Sequence, residues 1–255
     1  MHLWGEGSCG RLGIGVPNLC DKPVLVIIPN DRQPIHVACG EQHTSVGSRE
    51  GDLYTWGNSG DAGILGHGVE SQSVWQPLRV SGLPANSRVA SVSCGSRHSA
   101  LVTVEGRLYT WGEGIFGQLG HDNKEDIWSP KHVTALEGQK VVGTGCGAFH
   151  SAAVVQGRAE GNLFTWGDGK KGKLGHGNKD TILRPKLVQS VASVQIKSVA
   201  CGTWHTLSLS VSYGNDLPAI KRVALITLRL VTYRLMAKSL AAAMEATVNT
   251  AGVLT

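Results

Sequence analysis

Residues 108–121 read Leu-Tyr-Thr-Trp-Gly-Glu-Gly-Ile-Phe-Gly-Gln-Leu-Gly-His, and this stretch decides the fold because it recurs. Trp-Gly stands at Trp4, Trp56, Trp111 and Trp166, with spacings of 52, 55 and 55 residues. Leu-Gly-His follows at 65–67, 119–121 and 174–176, with Leu-Gly-Ile at 12–14. Cys-Gly-x-x-His-(Ser/Thr) recurs around His43, His98, His150 and His205. Pro-x-x-Val begins at Pro23, Pro77, Pro130 and Pro185. Several landmarks in one fixed order, four times over, establish internal repetition before any single element is assigned.

One unit can be read from residues 89–140. Val89–Ser93 is a short alternating apolar run leading into Cys94-Gly95. Ser99–Val104 is a second run, Glu105-Gly106 is a turn signal, and Leu108–Trp111 is a third strand. A Gly-rich loop then runs from Gly112 to Asn123, and Pro130–Val133 reads as the last strand. Four short strands in roughly 54 residues, with no helical stretch, describe a propeller blade. The chain is therefore expected to be all-β, built of propeller-type repeats with about four blade equivalents. These are a half unit at 1–34, full units at 35–88, 89–140 and 141–195, and a half unit at 196–212. Four blades is the lower limit for a closed propeller, so an open arc is favoured over a ring, with two uncovered edges.

Each landmark has a physical reason. A blade buries both faces against its neighbours, and Trp4, Trp56, Trp111 and Trp166 suit that seam. A tryptophan buries ~150–250 Å², worth roughly 4–6 kcal/mol gross as an upper bound. Cysteine is a small apolar filler, and the repeat histidines are expected to be buried and satisfied by backbone carbonyls.

Composition closes off other classes. Glycine makes up 34 of 255 residues, and charged residues are 17%, below the usual ~25%. No uninterrupted apolar run is long enough for an ordinary membrane span. The opening Met-His-Leu-Trp-Gly lacks a basic and then apolar leader, so an intracellular protein, cytoplasmic or nuclear, is expected. Of the +5 net charge, +3 falls in residues 213–255 and +2 in the repeats. A nearly neutral body without a basic stripe gives no support to direct nucleic-acid binding. The six cysteines form no Cys-x-x-Cys pair, which predicts free thiols rather than a zinc module.

The motifs that resemble chemistry have structural readings. Gly-x-Gly-x-x-Gly occurs at 5–10, 112–117 and 167–172. It recurs with the repeat, and a Pro-led strand follows instead of a helix, so it marks a blade corner and not a nucleotide site. The four Cys-x-x-x-His pairs fall on different blades and cannot converge on one metal. No nucleophile with an oriented base stands apart from the repeat. No catalytic residue, cofactor or metal is therefore expected.

Two residues before each repeat histidine vary while the frame stays fixed: Glu41-Gln42, Ser96-Arg97, Ala148-Phe149 and Thr203-Trp204. A variable pair inside a rigid turn is what a partner-binding face requires, although neutral surface variation produces the same pattern. Arg97, Phe149, Trp204, Lys170 and Lys171 are the candidate partner contacts.

The units resemble the repeats of the regulator of chromosome condensation family over about residues 2–211. The stretch 163–177, Leu-Phe-Thr-Trp-Gly-Asp-Gly-Lys-Lys-Gly-Lys-Leu-Gly-His-Gly, looks most like the plant subgroup that sets such repeats between a pleckstrin-homology domain and a FYVE finger. The resemblance implies a seven-bladed propeller whose faces bind proteins. Some members promote nucleotide exchange on small GTPases, others are scaffolds, and one relative is the plant ultraviolet-B photoreceptor. This chain carries material for about four blades. Of the residues just before the repeat histidines only Trp204 is an indole, so no photoreceptor-type cluster is present. The expected function is protein interaction, with a small GTPase as the candidate partner. The alternative is a truncated scaffold without independent activity. Residues 213–255 leave the repeat. They contain the apolar run Val223–Met236 and the helix-prone Leu240–Val248. They read as a non-homologous ending, or else as a basic helix that docks on the open arc or a membrane surface.

Overall fold

The structure, a computed structural model, describes residues 1–68, 73–157 and 161–210. The expected helical tail at 213–255 lies outside the described residues. Within them the chain forms strands β1 (His2–Gly5), β2 (Cys20–Leu25), β3 (Pro34–Cys39), β4 (His43–Ser48), β5 (Leu53–Gly57) and β6 (Val74–Arg79). Next come β7 (Val89–Cys94), β8 (His98–Thr103), β9 (Leu108–Gly112), β10 (Ile127–His132), β11 (Val141–Cys146) and β12 (His150–Gln156). The series ends with β13 (Gly161–Gly167), β14 (Ile182–Leu187), β15 (Ile196–Cys201) and β16 (Thr206–Ser210). Among the described residues helical structure is confined to single 3-10 turns.

The strands make three antiparallel four-stranded sheets, β3–β6, β7–β10 and β11–β14, each in sequence order. A two-stranded sheet stands at either end, β1–β2 and β15–β16. Consecutive sheets pack face to face: β3 and β4 on β7, β7 and β8 on β11, and β11 and β12 on β15. Among the described residues β15–β16 makes no sheet with β1–β2, so the propeller-type series is open.

Face-to-face packing explains the composition of the middle strands. Every residue of β4, β5, β8 and β9 is buried, because each strand has a neighbouring sheet on both sides. One seam gathers Leu53 and Val80 of one sheet with Val89, Leu101, Tyr109 and Trp111 of the next. The next gathers Ala100, Val102, Leu108 and Val133 with Val141, Ala153, Val155 and Trp166.

At each seam the tryptophan does more than fill space. Trp56 Nε1 donates to the Arg11 carbonyl at 3.0 Å, Trp111 Nε1 to Ile64 at 2.9 Å, and Trp166 Nε1 to Gln118 at 2.8 Å. These carbonyls belong to the Gly-rich loop of the preceding unit, one residue before Leu-Gly. Each accepts a second bond from the hydroxyl after the repeat histidine. Thr44 Oγ1 lies 2.8 Å from Arg11 O, Ser99 Oγ 3.0 Å from Ile64 O, and Ser151 Oγ 2.7 Å from Gln118 O. Hydroxyl and indole stand side by side because Thr44 pairs with Trp56, Ser99 with Trp111 and Ser151 with Trp166 across the sheet. The glycine that follows the loop leucine lets the backbone lie against the indole. Gly66 and Gly120 both have φ +80°, and a Cβ there would stand 2.9 and 2.8 Å from the Nε1 of Trp111 and Trp166. The loop is tied to its own sheet by the threonine before each Trp. Thr55, Thr110 and Thr165 donate to the Leu65, Leu119 and Leu174 carbonyls at 2.6–2.7 Å.

Two expectations change. Trp56, Trp111 and Trp166 are fully buried, but Trp4 is 61% exposed, because no described unit packs behind it and no loop carbonyl reaches its indole. The fourth strand of the 89–140 unit starts at Ile127, not Pro130. Ile127 pairs with Gly112, and the register shifts before Lys131 pairs with Thr110, so Pro130 sits at an edge-strand irregularity where no ladder donor is needed.

The seam geometry sets a measurable cost. Trp111→Ala is expected to lower the unfolding free energy by ~3–5 kcal/mol through loss of buried volume and an orphaned carbonyl bond. Gly120→Ala, which adds a Cβ at positive φ against an indole, is expected to cost at least ~1 kcal/mol. Denaturant titration of both variants checks this, and an unchanged midpoint for Trp111→Ala contradicts the seam assignment.

Candidate functional site

The repeat histidines were expected to bond backbone carbonyls. Their partner is instead the seam hydroxyl of the next unit. His43 Nε2 lies 2.8 Å from Ser99 Oγ, His98 Nε2 2.8 Å from Ser151 Oγ, and His150 Nε2 2.9 Å from Thr206 Oγ1. Each hydroxyl gives its hydrogen to a loop carbonyl, so the ring nitrogen is the donor and the neutral Nε2–H tautomer is required. Nδ1 of all three rings is buried without a hydrogen-bond partner. The rings lie so close to the glycine of Cys-Gly that a Cβ on Gly40, Gly95 or Gly147 would stand within 2.8 Å of the ring Cε1. Burial lowers His43 and His150 to about 4 and His98 to about 3, the latter helped by its two histidine neighbours. His205 is exposed, since no described unit follows it.

These rings are therefore seam elements held neutral, each at its own junction. Cys39, Cys94, Cys146 and Cys201, with the glycines that follow them, line one open cavity of about 510 Å³. All six cysteines are free. Burial pushes the Cys94 and Cys201 thiols up to about 12 and raises Cys39 and Cys146 as well, which removes their nucleophilic form at neutral pH. Among the described residues no group of three or more His, Cys, Asp or Glu side chains is arranged to hold a metal ion.

Variation is presented one step from this frame. The residue before each repeat histidine is tied by its carbonyl to the residue after Trp-Gly. Asn58 N donates to Gln42 O, Glu113 N to Arg97 O, and Asp168 N to Phe149 O, all at 2.9 Å. The glycine between admits this approach. A Cβ at Gly57, Gly112 or Gly167, all with φ above +100°, would stand 2.3–2.7 Å from those oxygens. Side chains on the two segments then meet. Asn58 Nδ2 donates to Gln42 Oε1 at 2.6 Å, and Arg97 Nε lies 2.8 Å from Glu113 Oε1. Between these pairs lies a cavity of about 330 Å³, lined by Gln42, Asn58, Asp61, Ile64 and Arg97. Glu113 is buried, its partner Arg97 is half exposed, and burial raises the Glu113 carboxyl more than Arg97 lowers it.

Further along the series the same positions turn aromatic. The Phe116 and Phe149 rings meet edge to face at 5.0 Å, and Phe149 and Trp204 stand 6.1 Å apart. Beneath them Lys173 is buried, 2.5 Å from Asp168 Oδ2, with its ammonium 5.1 Å from the Trp204 ring centre. Lys170 and Lys171 lie exposed on the neighbouring 3-10 turn. Of the candidate contacts, the structure brings Phe149 and Trp204 together, with Lys170 and Lys171 beside the buried Lys173. Arg97 stands apart in its pair with Glu113. Phe116, Asp168 and Lys173 were not singled out from the sequence. Aligning the units would have found Lys173, which takes the place of Arg11, Ile64 and Gln118.

Repeated four-stranded sheets, sealed through indoles and hydroxyls on shared loop carbonyls, define a propeller-type repeat module. The chain belongs to the family described as the Regulator of chromosome condensation (RCC1) repeat, whose profile matches residues 1–46, 50–102, 105–154 and 160–209. It is 37% identical over 210 residues to the Ultraviolet-B receptor UVR8 of Arabidopsis thaliana, covering 82% of this chain and 46% of that protein. It is 33% identical over 216 residues to the human E3 ubiquitin-protein ligase HERC2, covering 82% of this chain but 4% of the ligase. The chain thus spans less than half the length of either relative. Among solved structures it is similar to human WBSCR16, with a TM-score of 0.70 and 27% identity over 82% of this chain and 52% of that one. It shares the fold of Prp20p from Saccharomyces cerevisiae, with a TM-score of 0.70 and 23% identity over 89% of this chain and 55% of that one. The study of Prp20p reports binding to Gsp1p and histones. These relatives support the repeat family and not the plant pleckstrin-homology and FYVE subgroup. No helix among the described residues is long and apolar enough to cross a membrane.

The neutral seam histidines predict an acid limit. Their folded pKa values lie below the ordinary 6.5, and burial also lowers His67, His121 and His176. Above pH 6.5 the full stability is present. As pH falls from 6.5 toward about 4 the unfolded chain binds protons that the folded chain refuses, so stability is lost. Melting temperature is expected to fall through that window. His98→Gln, which can still donate to Ser151, should remove about one proton from the slope. Thermal melts between pH 7 and 4.5 check this, and a flat profile contradicts it.

Proposed function

We propose that the repeats at 1–212 form a non-enzymatic protein-interaction module, with 213–255 as a separate tail. The loop face carrying Arg97, Phe149, Trp204, Lys170 and Lys171 docks a protein partner, and a small GTPase is the candidate. The observation that carries this reading is the Phe116–Phe149–Trp204 row. Trp204 is half exposed near the exposed Lys170 and Lys171, and, two residues on, Thr206 is held by His150 and the Lys173 carbonyl. Exposed aromatic anchors next to cations, on a preorganised surface, are what a docking hot spot requires. Binding of Gsp1p by a protein of the same fold supports the GTPase as the class to test first. On such a partner the module acts as a nucleotide-exchange factor by pressing this face against the nucleotide site. It works in the cytoplasm or the nucleus and needs no cofactor.

A scaffold without exchange activity is the second reading, favoured by the match to one small part of HERC2. A photoreceptor role has less support, because one indole in the row is not a cluster.

Release of labelled nucleotide from a panel of small GTPases separates these readings. Exchange is expected to accelerate with added protein. Phe149→Ala combined with Trp204→Ala should reduce the effect at least ~10-fold without changing the melting temperature by more than a few degrees. Binding without exchange favours the scaffold, and neither binding nor exchange at excess protein overturns the GTPase reading.

A further inference from the structure

A second kind of variation lies at the opposite ends of the strands from the variable pairs, where a turn joins the second strand of each full sheet to the third. The residue just before the third strand is Asp52 in the β3–β6 sheet, Arg107 in the β7–β10 sheet and Asn162 in the β11–β14 sheet. Two residues on come Tyr54, Tyr109 and Phe164, which pair with Arg79, His132 and Leu187 of the fourth strand. Side chains two apart on a strand share a face, so Asp52 is a diagonal neighbour of Arg79, and Arg107 stands in the same relation to His132. The β3–β6 sheet fills this place from within. Asp52 Oδ1 lies 2.7 Å from Arg79 Nη2, and Oδ2 lies 3.2 Å from Arg32 Nε, with the carboxylate largely buried between them. The β7–β10 sheet puts a guanidinium where that carboxylate stood.

The consequence is an open cavity of about 540 Å³ lined by Arg107, His132 and Lys140, the residue that leads into β11. The corresponding places in the β11–β14 sheet and at the start of β15 hold Asn162, Leu187 and Gln195, none of them cationic. Three basic side chains from three elements therefore meet at one unit and not at the next.

The backbone beneath them is fixed. Arg107 N donates to Thr103 Oγ1 at 3.3 Å, Gly106 N donates to the Thr103 carbonyl at 2.8 Å, and the Gly106 carbonyl accepts from Val141 N at 2.9 Å. Gly106 has φ +85°, and a Cβ there would stand 2.5 Å from Lys140 Cγ, so the lysine stem lies against the turn. The His132 and Tyr109 rings are 5.4 Å apart. Among the described residues neither Arg107 nor Lys140 makes a salt bridge. Two carboxylates also line the cavity. Glu105 is held back on its own turn, where the Thr103 hydroxyl and its own backbone N–H bond it, and Glu137 is exposed.

We propose that this cavity binds a phosphate monoester, whose oxygens take the place that the Asp52 carboxylate fills in the preceding sheet. A guanidinium offers a planar fork of donors, and the ammonium and imidazole add donors from the neighbouring elements. A tetrahedral dianion has oxygens for all three groups, whereas a carboxylate has two. The Gln139 amide, which also lines the cavity, is a further donor. The only apolar residue in the lining is Leu136, itself buried, which suits a polar ligand. The phosphate is carried either by a small metabolite or by a phosphorylated side chain of a protein.

The test uses the full 255-residue chain labelled with nitrogen-15. The amide signals of Arg107, Gly138 and Gln139 are followed during titration with inorganic phosphate, glucose 6-phosphate and acetyl-phosphoserine amide, with acetate for comparison at matched ionic strength. Saturable shifts are expected with the phosphates and not with acetate. Tighter binding of glucose 6-phosphate supports a metabolite, and tighter binding of acetyl-phosphoserine amide supports a phosphorylated protein. Arg107→Asn, which installs the residue of the β11–β14 sheet, should weaken phosphate binding at least ~10-fold. Glu137→Gln should tighten it ~2- to 3-fold by removing a like charge. Both positions are exposed, so both variants should keep the melting temperature. Phe149→Ala with Trp204→Ala, at the other ends of the strands, should leave phosphate binding unchanged. Shifts that do not saturate, an equal response to acetate, or unchanged affinity in Arg107→Asn overturn the proposal.

Discussion

Three backbone carbonyls, those of Arg11, Ile64 and Gln118, hold the repeat units together. Each sits at the buried junction between two sheets and uses both lone pairs, one on an indole N–H and one on a hydroxyl of the following unit. A carbonyl removed from water without partners would cost ~1–3 kcal/mol, so the bonds matter as much for what they prevent as for what they add. The hydroxyl is committed as a donor and takes the histidine Nε2–H as its acceptor role. That fixes the tautomer and carries the order one unit further back. Apolar packing supplies most of the favourable energy at the seam, while the polar chain sets the register in which one sheet faces the next.

The glycine content follows from this arrangement and not from flexibility. Gly66 and Gly120 let a loop lie on an indole, and Gly112 lets the turn before His98 approach the end of β9. Because the frame is closely constrained, the residues between its fixed points are free to vary without cost to the fold. Gln42, Arg97, Phe149 and Trp204 occupy equivalent places and carry an amide, a cation and two aromatic rings. One backbone thus presents a different chemistry at each step, which is how a repeat scaffold acquires a specific binding face.

The repeat, its strands and its corner glycines were legible in the sequence, because Trp, Gly, His and Pro recur at spacings that one local geometry explains. Trp4 shows where that reading stops. It shares Trp-Gly-Glu-Gly with Trp111, but its burial depends on a neighbouring unit, and the same four residues gave opposite exposure. The histidine partner was missed for a related reason: Ser99 is 56 residues from His43, and only the packing of one sheet on the next joins them. Phe116, Phe149 and Trp204 likewise come from three units. The buried Lys173–Asp168 pair was hidden because a lysine in a Gly-rich loop reads as solvated until the indole above it is seen.

The account rests on the shared carbonyls, and the exchange of the indole N–H protons tests it most directly. With nitrogen-15 in all seven tryptophans, transfer to heavy water separates the buried bonds from the surface ones. Trp56, Trp111 and Trp166 are expected to hold their protons long after those of Trp75 and Trp128 have gone, and to lose them together as the seams open in one cooperative event. If the three seam indoles exchange as fast as Trp75 and Trp128, the carbonyls do not hold the units together and the account is wrong.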